Sequence, residues 1–185
     1  ALTGDWVRAA FPPPADRTPA QHALLAEIER LIDELQRADL LVLGVPLYNF
    51  GPPSAFKAWL DLIVRIGRTF DSLPARGQDP YVPLLADRPR TAVLLTSRGG
   101  TGYDAGGAMA HMNHLDPAVR TVLGFIGITD LHSIAIEGEE HKDAAFALSV
   151  TDAHERIERL VDQLQQRRAD RAACQGPAAA PAACT

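Results

Sequence analysis

Cysteine is nearly absent: 185 residues hold only Cys174 and Cys184, both close to the C-terminal end. Two thiols so placed make no disulfide framework and read as incidental exposed groups. There is no basic tract, and the formal net charge is −5, which excludes nucleic acid as a partner because phosphate neutralisation needs clustered Lys and Arg. No apolar run reaches membrane-spanning length. The first residues carry no signal-peptide pattern, so a soluble, cytoplasmic protein is expected. Metal and nucleophile sets are missing as well. His111 and His114 lie three apart but have no Cys or nearby carboxylate to complete a site. Neither Ser97 nor Ser149 sits in a G-x-S-x-G context. Glu137, Glu139, Glu140 and Asp143 read as a solvated turn and a helix start, favoured there by the helix dipole.

What is present is apolar residue in quantity, 46% of the chain, ample for the core of one domain. Residues 1–17 are proline-rich and read as a loop or a short helical turn, with Trp6 and Phe11 packing onto the core. Thr18, Pro19 and Gln21 form a capping box that opens a helix to Arg37, with Leu24, Ile28, Leu31, Ile32 and Leu35 as its apolar face. Leu40 to Val45 is a strand apolar enough to be buried on both faces. A Pro, Gly and Asn loop from Pro46 to Pro53 follows. Ser54 then caps a helix whose face is Phe56, Trp59, Leu60, Ile63 and Val64. Residues 67–89 are a long excursion with four prolines, the kind of loop that is functional or mobile. Thr91 to Thr96 is a second buried strand, and a glycine-rich loop runs from Ser97 to Asn113. Asp116 caps a helix with Pro117 at its first position, extending to about Phe125. Leu131 to Ile136 is a third strand, and an amphipathic helix runs from about Glu140 to Arg168. Residues 1–168 are one domain in this reading, and 169–185 a disordered Ala/Pro-rich tail. Strands separated by helices predict an α/β fold with a parallel sheet, in which ligands bind at the loops leaving the carboxyl ends of strands.

Three segments carry a resemblance. PLYNFGPPSAFKAWLDLIVRIGRTF (Pro46–Phe70), LTSRGG (Leu95–Gly100) and VLGFIGITD (Val122–Asp130) resemble, in order and spacing, the flavin-site blocks of the FMN-dependent NADH:quinone reductases and azoreductases. The resemblance covers about Leu2 to Leu164, with Leu47 standing where the family pattern has Met. It implies a flavodoxin-like sheet with helices on both faces, FMN as cofactor, and NAD(P)H with quinones, azo or nitro aromatics as substrates, reduced in ping-pong two-electron steps. It implies a homodimer with the pocket at the interface. By the same resemblance Pro46, Leu47, Tyr48, Asn49 and Phe50 lie along the flavin ring, with the Asn49 side chain at its polar edge. Ser97, Arg98, Gly99 and Gly100 flank the other end, and Phe50 and Phe125 line the substrate face. The residues alone leave other roles open: Tyr48 and Phe50 as plugs onto the core, Arg98 as an ion-pair partner, Phe125 as plain core, Gly99 and Gly100 as a turn.

The three strands correspond to strands 3, 4 and 5 of that sheet. Strands 1 and 2, and the serine-rich loop that holds the FMN phosphate at a helix N-terminus, have no counterpart in the sequence. Two expectations follow. Either the chain is part of a longer protein, or something replaces the missing strand. With strand 1 absent and unreplaced, Leu40–Val45 is an apolar sheet edge; without the phosphate loop, the alternative reading is a flavin-free relative using the same cleft for another aromatic ligand.

Overall fold

The computed structural model describes residues 3–174. Along the chain the elements are α1 (Gly4–Ala10), α2 (Pro19–Arg37), β1 (Leu40–Gly44), α3 (Ser54–Ile63), β2 (Phe70–Ser72), β3 (Tyr81–Pro83), β4 (Thr91–Arg98), α4 (Leu115–Ile126), β5 (Asp130–Glu137) and α5 (Ala144–Cys174). The central sheet is parallel with order β1-β4-β5. Its register sets Val42 opposite Val93 and Arg98 opposite Glu137.

Successive side chains of a strand point to opposite faces, and the two faces divide the core. Leu41, Ala92, Leu94 and Leu131 join one cluster with the buried faces of α1 to α4. Val93, Leu95, Ile134 and Ile136 join a second with Ala153, Ile157 and Leu160 of α5. Helices therefore cover both faces, as a flavodoxin-like fold requires. Coverage stops short at β1, because α5 lies over β5 and β4. Val42 is 59% exposed and Leu40 is exposed too, while Leu41 is buried.

The α2 capping box forms: Gln21 N donates to Thr18 Oγ1 and Thr18 N to Gln21 Oε1. Two other predicted caps do not form. Pro53 takes the position expected of Ser54, which is the first helical residue of α3. At α4 the N-cap position is His114, which makes no side-chain cap bond; Asn113 just before it satisfies the first turn, its Oδ1 accepting from the amides of Leu115 and Asp116, and the Asp116 carboxylate is engaged elsewhere. Leu24 is exposed and Leu25 buried on α2. Trp6 packs on the core through α1, but Phe11 is 75% exposed. The excursion after α3 is partly ordered as the antiparallel pair β2–β3. α5 begins at Ala144, capped by Asp143, whose Oδ1 accepts from Ala145 and Phe146 N, and it continues six residues past the expected end at Arg168. The rest of the expected tail, 175–185, lies outside the described residues, as does Cys184.

At the far end of the sheet Asp130 accepts from Thr91 Oγ1 at 2.7 Å and from Arg167 Nη1 at 3.1 Å. Partial burial pushes its carboxyl up, but the Thr91 bond and the charges of His132 and Arg167 outweigh burial and hold it below the ordinary carboxylate range. The stabilisation from a carboxyl depressed in the folded state is complete above the unfolded value of about 3.9 and is lost as pH falls through the folded value. Asp130→Asn is therefore expected to lower the urea midpoint at neutral pH, by less than about 1 kcal/mol in stability because the group is two-fifths exposed. The gap to wild type should close below about pH 4. A gap that widens in acid contradicts this sign.

Candidate functional site

The carboxyl ends of β1 and β4 lie side by side, and so do the loops that leave them. Val45 N donates to Leu95 O and Leu47 N to Ser97 O, both at 2.9 Å, which extends the β1–β4 ladder past the strand proper. The first loop then turns sharply. Tyr48 and Gly51 exchange both backbone hydrogen bonds, at 3.1 and 3.0 Å. Asn49 and Phe50 between them have φ of 46° and 68°. Asn tolerates that region, but Phe does not, at about 1–2 kcal/mol. The conformation is supported from the side by His114 N, which donates to Phe50 O at 2.9 Å.

The second loop is held by its carbonyls. The oxygens of Arg98, Gly99 and Gly100 accept from Glu139, Glu140 and Gly138 N at 3.1, 3.2 and 3.0 Å. Among the described residues, the amides of Asn49, Phe50, Gly99 and Gly100 have no acceptor. The two loops thus turn most of their carbonyls to the protein and leave these four amides without a protein partner. Further along, a Cβ on Gly107 would stand 2.2 Å from Gly102 O, so the glycines close the loop tightly upon itself.

Arg98 occupies a different place from the other predicted ligand contacts. Its side chain has no exposure. Nη1 donates to Asp104 Oδ1 at 2.7 Å and to Glu137 Oε1 at 2.9 Å, and Nη2 donates to Asp116 Oδ2 at 2.9 Å. Burial pulls the guanidinium down, but Glu137, Asp104 and Asp116 outweigh it and hold Arg98 above the ordinary arginine value. The ion-pair role left open by the sequence is the one its guanidinium fills, and its backbone alone borders the loop. Glu137, read as part of a solvated turn, is instead mostly buried beneath that loop. The signal was present in the strand pattern: Arg98 and Glu137 end adjacent parallel strands at matching positions.

Pro46, Tyr48 and Ser97 line a groove of about 430 Å3 whose floor is Leu95, Ile134 and Ile136 and whose far wall is α5. Leu47 packs on the core beneath. Tyr48 is 62% exposed and Phe50 is exposed as well, so neither is a plug. Phe125 is not brought to this place. It sits in a three-ring cluster with Phe70 (5.0 Å between centroids) and Tyr81 (5.3 Å). His114, which touches Phe50, precedes the first turn of α4 and Phe125 is in the last, roughly 16 Å apart at about 1.5 Å per residue.

Residues 1–160 match the profile of a family described as having the flavodoxin-like fold. FMN-dependent NADH:quinone oxidoreductase 1 of Pseudomonas fluorescens (strain Pf0-1) is 46% identical over 158 residues, 85% of this chain and 74% of that protein. FMN-dependent NAD(P)H:quinone oxidoreductase 1 of Pseudomonas aeruginosa is 47% identical over 158 residues, with the same coverage of 85% and 74%. The chain belongs to this flavodoxin-like quinone oxidoreductase family.

Among solved structures, an azoreductase from Bacillus anthracis str. Sterne superimposes with a TM-score of 0.74 at 23% identity, over 88% of this chain and 75% of that one. The agreement is one of fold: β1, β4 and β5 with helices on both faces are the flavodoxin-like elements anticipated as strands 3, 4 and 5. Among the described residues of this flavodoxin-like chain, no helix is long and apolar enough to cross a membrane.

Proposed function

We propose that the protein is an FMN-dependent NAD(P)H oxidoreductase reducing quinones, and azo or nitro aromatics of similar shape. The observation that carries the reading is the set of unpaired amides at Asn49, Phe50, Gly99 and Gly100, on two loops laid side by side by the Leu47–Ser97 hydrogen bond. That donor set fits a flavin ring, whose polar edge accepts hydrogen bonds and whose faces are apolar. The relatives named above, both called FMN-dependent, support the same cofactor. FMN would supply the two-electron chemistry, which needs little acid or base from the protein. The chain's own residues bind and orient. Asn49, Phe50, Gly99 and Gly100 present donors to the ring edge, Pro46, Leu47 and Ser97 shape the wall, and Tyr48 and Phe50 shield a face from water. These residues are assigned to the ring alone.

A substrate face shared by Phe50 and Phe125 requires a second copy of the chain, since in one protomer Phe50 meets the start of α4 and Phe125 lies in its last turn. A homodimer, working in the cytoplasm where NAD(P)H is regenerated, is part of this proposal. Titration decides the cofactor. FMN fluorescence is expected to be quenched to one equivalent per chain, NAD(P)H to bleach the bound flavin, and a quinone to restore it. If no protein concentration quenches FMN, the flavin-free reading replaces this one. Sedimentation at the same concentrations should report a dimer.

A further inference from the structure

The strongest structural element near the two loops sends its side chain to neither the 47–51 turn nor the 99–100 amides. Arg98 sends its guanidinium away from the groove into a set of three carboxylates that come from three different parts of the chain: Asp104 from the glycine loop, Asp116 from the start of α4, and Glu137 from the end of β5. Each carboxylate holds something further. Glu137 accepts from the amides of Gly102 (2.7 Å) and Tyr103 (2.9 Å). Asp116 accepts from Asn113 Nδ2 at 2.6 Å and from the Ser133 hydroxyl, and Asn113 in turn reaches Tyr103 O at 3.3 Å. The loop between β4 and α4 is therefore fastened at 102, 103, 104 and 113 through carboxylates that Arg98 neutralises, in addition to the backbone bonds that tie 98–100 to 138–140.

Charge makes the arrangement depend on that one residue. Three carboxylates surround one guanidinium. Among the described residues, the one other cation paired with these carboxylates is Arg156 of α5, which stands 3.7 Å from Asp104 Oδ2 and shares its charge with Asp152. Without Arg98 the mostly buried carboxylates of Asp116 and Glu137 would be left without a counter-charge, with the half-exposed Asp104 beside them, and like charges out of water repel strongly. Geometry also favours arginine over lysine. Two carboxylates are met on one nitrogen and the third on the other, which a planar fork supplies and a single ammonium does not.

We propose that Arg98 is a positioning residue for the cofactor loop: by gathering Asp104, Asp116 and Glu137 it holds the Gly99 and Gly100 amides where they meet the acceptor edge of the ring. The proposal rests on the flavin reading given above, and it assigns Arg98 no contact with any ligand. It also explains why a full positive charge is buried one residue from a site that needs only backbone donors: the charge acts on the loop from behind.

The test uses Arg98→Lys, Arg98→Gln and Glu137→Gln in the full chain, with two independent readouts. The first is amide hydrogen exchange without cofactor. Gly102 and Tyr103 are expected to lose protection about tenfold or more in all three variants, while amides of α2 and β4 keep theirs. The second is FMN titration. Arg98→Lys, which keeps the charge and loses the fork, should bind about tenfold more weakly, and Arg98→Gln about a hundredfold, the range set by one or two charge-assisted hydrogen bonds. The visible band of FMN at saturation should shift toward that of free flavin, which a purely structural role would leave unmoved. Should Arg98→Gln fail to fold, the lysine and Glu137 variants carry the same comparison. Unchanged loop exchange, or protection lost evenly throughout the molecule, overturns the proposal. Loosened exchange confined to the loop, in proteins none of which quenches FMN, upholds Arg98 as the loop's anchor and removes the flavin reading instead.

Discussion

Glu29→Ala is expected to cost about 3–5 kcal/mol, the range for removing one partner of a buried ion pair. The sequence gives Glu29 no special mark, since it is a polar position midway along α2. In the fold three guanidinium groups converge on its carboxylate. Arg17 Nη1 is 3.4 Å away, Arg65 Nη2 is 3.1 Å away, and Arg68 bonds the second oxygen. Arg65 is almost wholly buried, with its plane over the Trp6 ring at 5.2 Å. Burial, and then the charge of Arg17, already push Arg65 below the ordinary arginine value. Taking away the shared anion leaves those positive charges against one another where α1, α2 and the end of α3 meet. For a chain of this size about 2–4 °C of melting temperature accompanies each kcal/mol, so a drop of roughly 6–20 °C should be seen by circular dichroism. Glu34→Ala is the comparison. Its pair with Arg30 is exposed and one helical turn long, worth about 0.3–0.5 kcal/mol. If the two variants melt alike, the Glu29 cluster is solvated and the argument fails.

Gly127→Ala is the second large effect. Gly127 ends α4 with φ of 108°, and Ile128 N reaches back to Leu123 O at 2.8 Å, so the helix closes through a left-handed residue. An alanine pays about 1–2 kcal/mol for that backbone alone. The space is also taken: a Cβ there would stand 2.5 Å from Ala86 N and 2.8 Å from Leu85 C. These are backbone atoms of a turn whose Leu85 is fully buried, and they have no free rotation with which to yield. Overpacking adds about 1–3 kcal/mol, for a total of about 2–5 kcal/mol by urea titration. Gly124, three residues earlier, has nothing within 4 Å of its would-be Cβ. Gly124→Ala should stabilise by about 0.5–1 kcal/mol through helix propensity. Opposite signs for two glycines one turn apart are the expected result, and equal signs would refute the steric account.

Local signals were legible wherever a residue answered only to its neighbours in the chain. The Thr18–Gln21 capping box formed as read, and the three apolar strands fell within two residues of their observed limits. Misreadings arose where a side chain was claimed from afar. Asp116 and Asn113 are both good caps three residues apart, and nothing local says that Arg98 takes the first and leaves the second for the helix. Glu137 looked solvated because Glu139 and Glu140 after it are, whereas its partner is across the sheet. The adjacency of the two ligand loops could be anticipated, since consecutive parallel strands bring their carboxyl ends together. The separation of Phe125 from Phe50 could have been too: α4 must run back down the sheet to begin β5, so the two ends of that helix cannot serve one place in the same protomer.

The hydrogen bonding of the two loops is unequal, and this bears on which of them yields. The 98–100 segment is stitched to residues 138–140 by three backbone bonds and clamped below by carboxylates. The Tyr48–Gly51 turn is bonded chiefly to itself, with His114 as its lateral tie. One bank is fixed and the other compliant. Any distortion at this end of the sheet will be taken up first by Tyr48 and Phe50, while residues 98–100 keep their place.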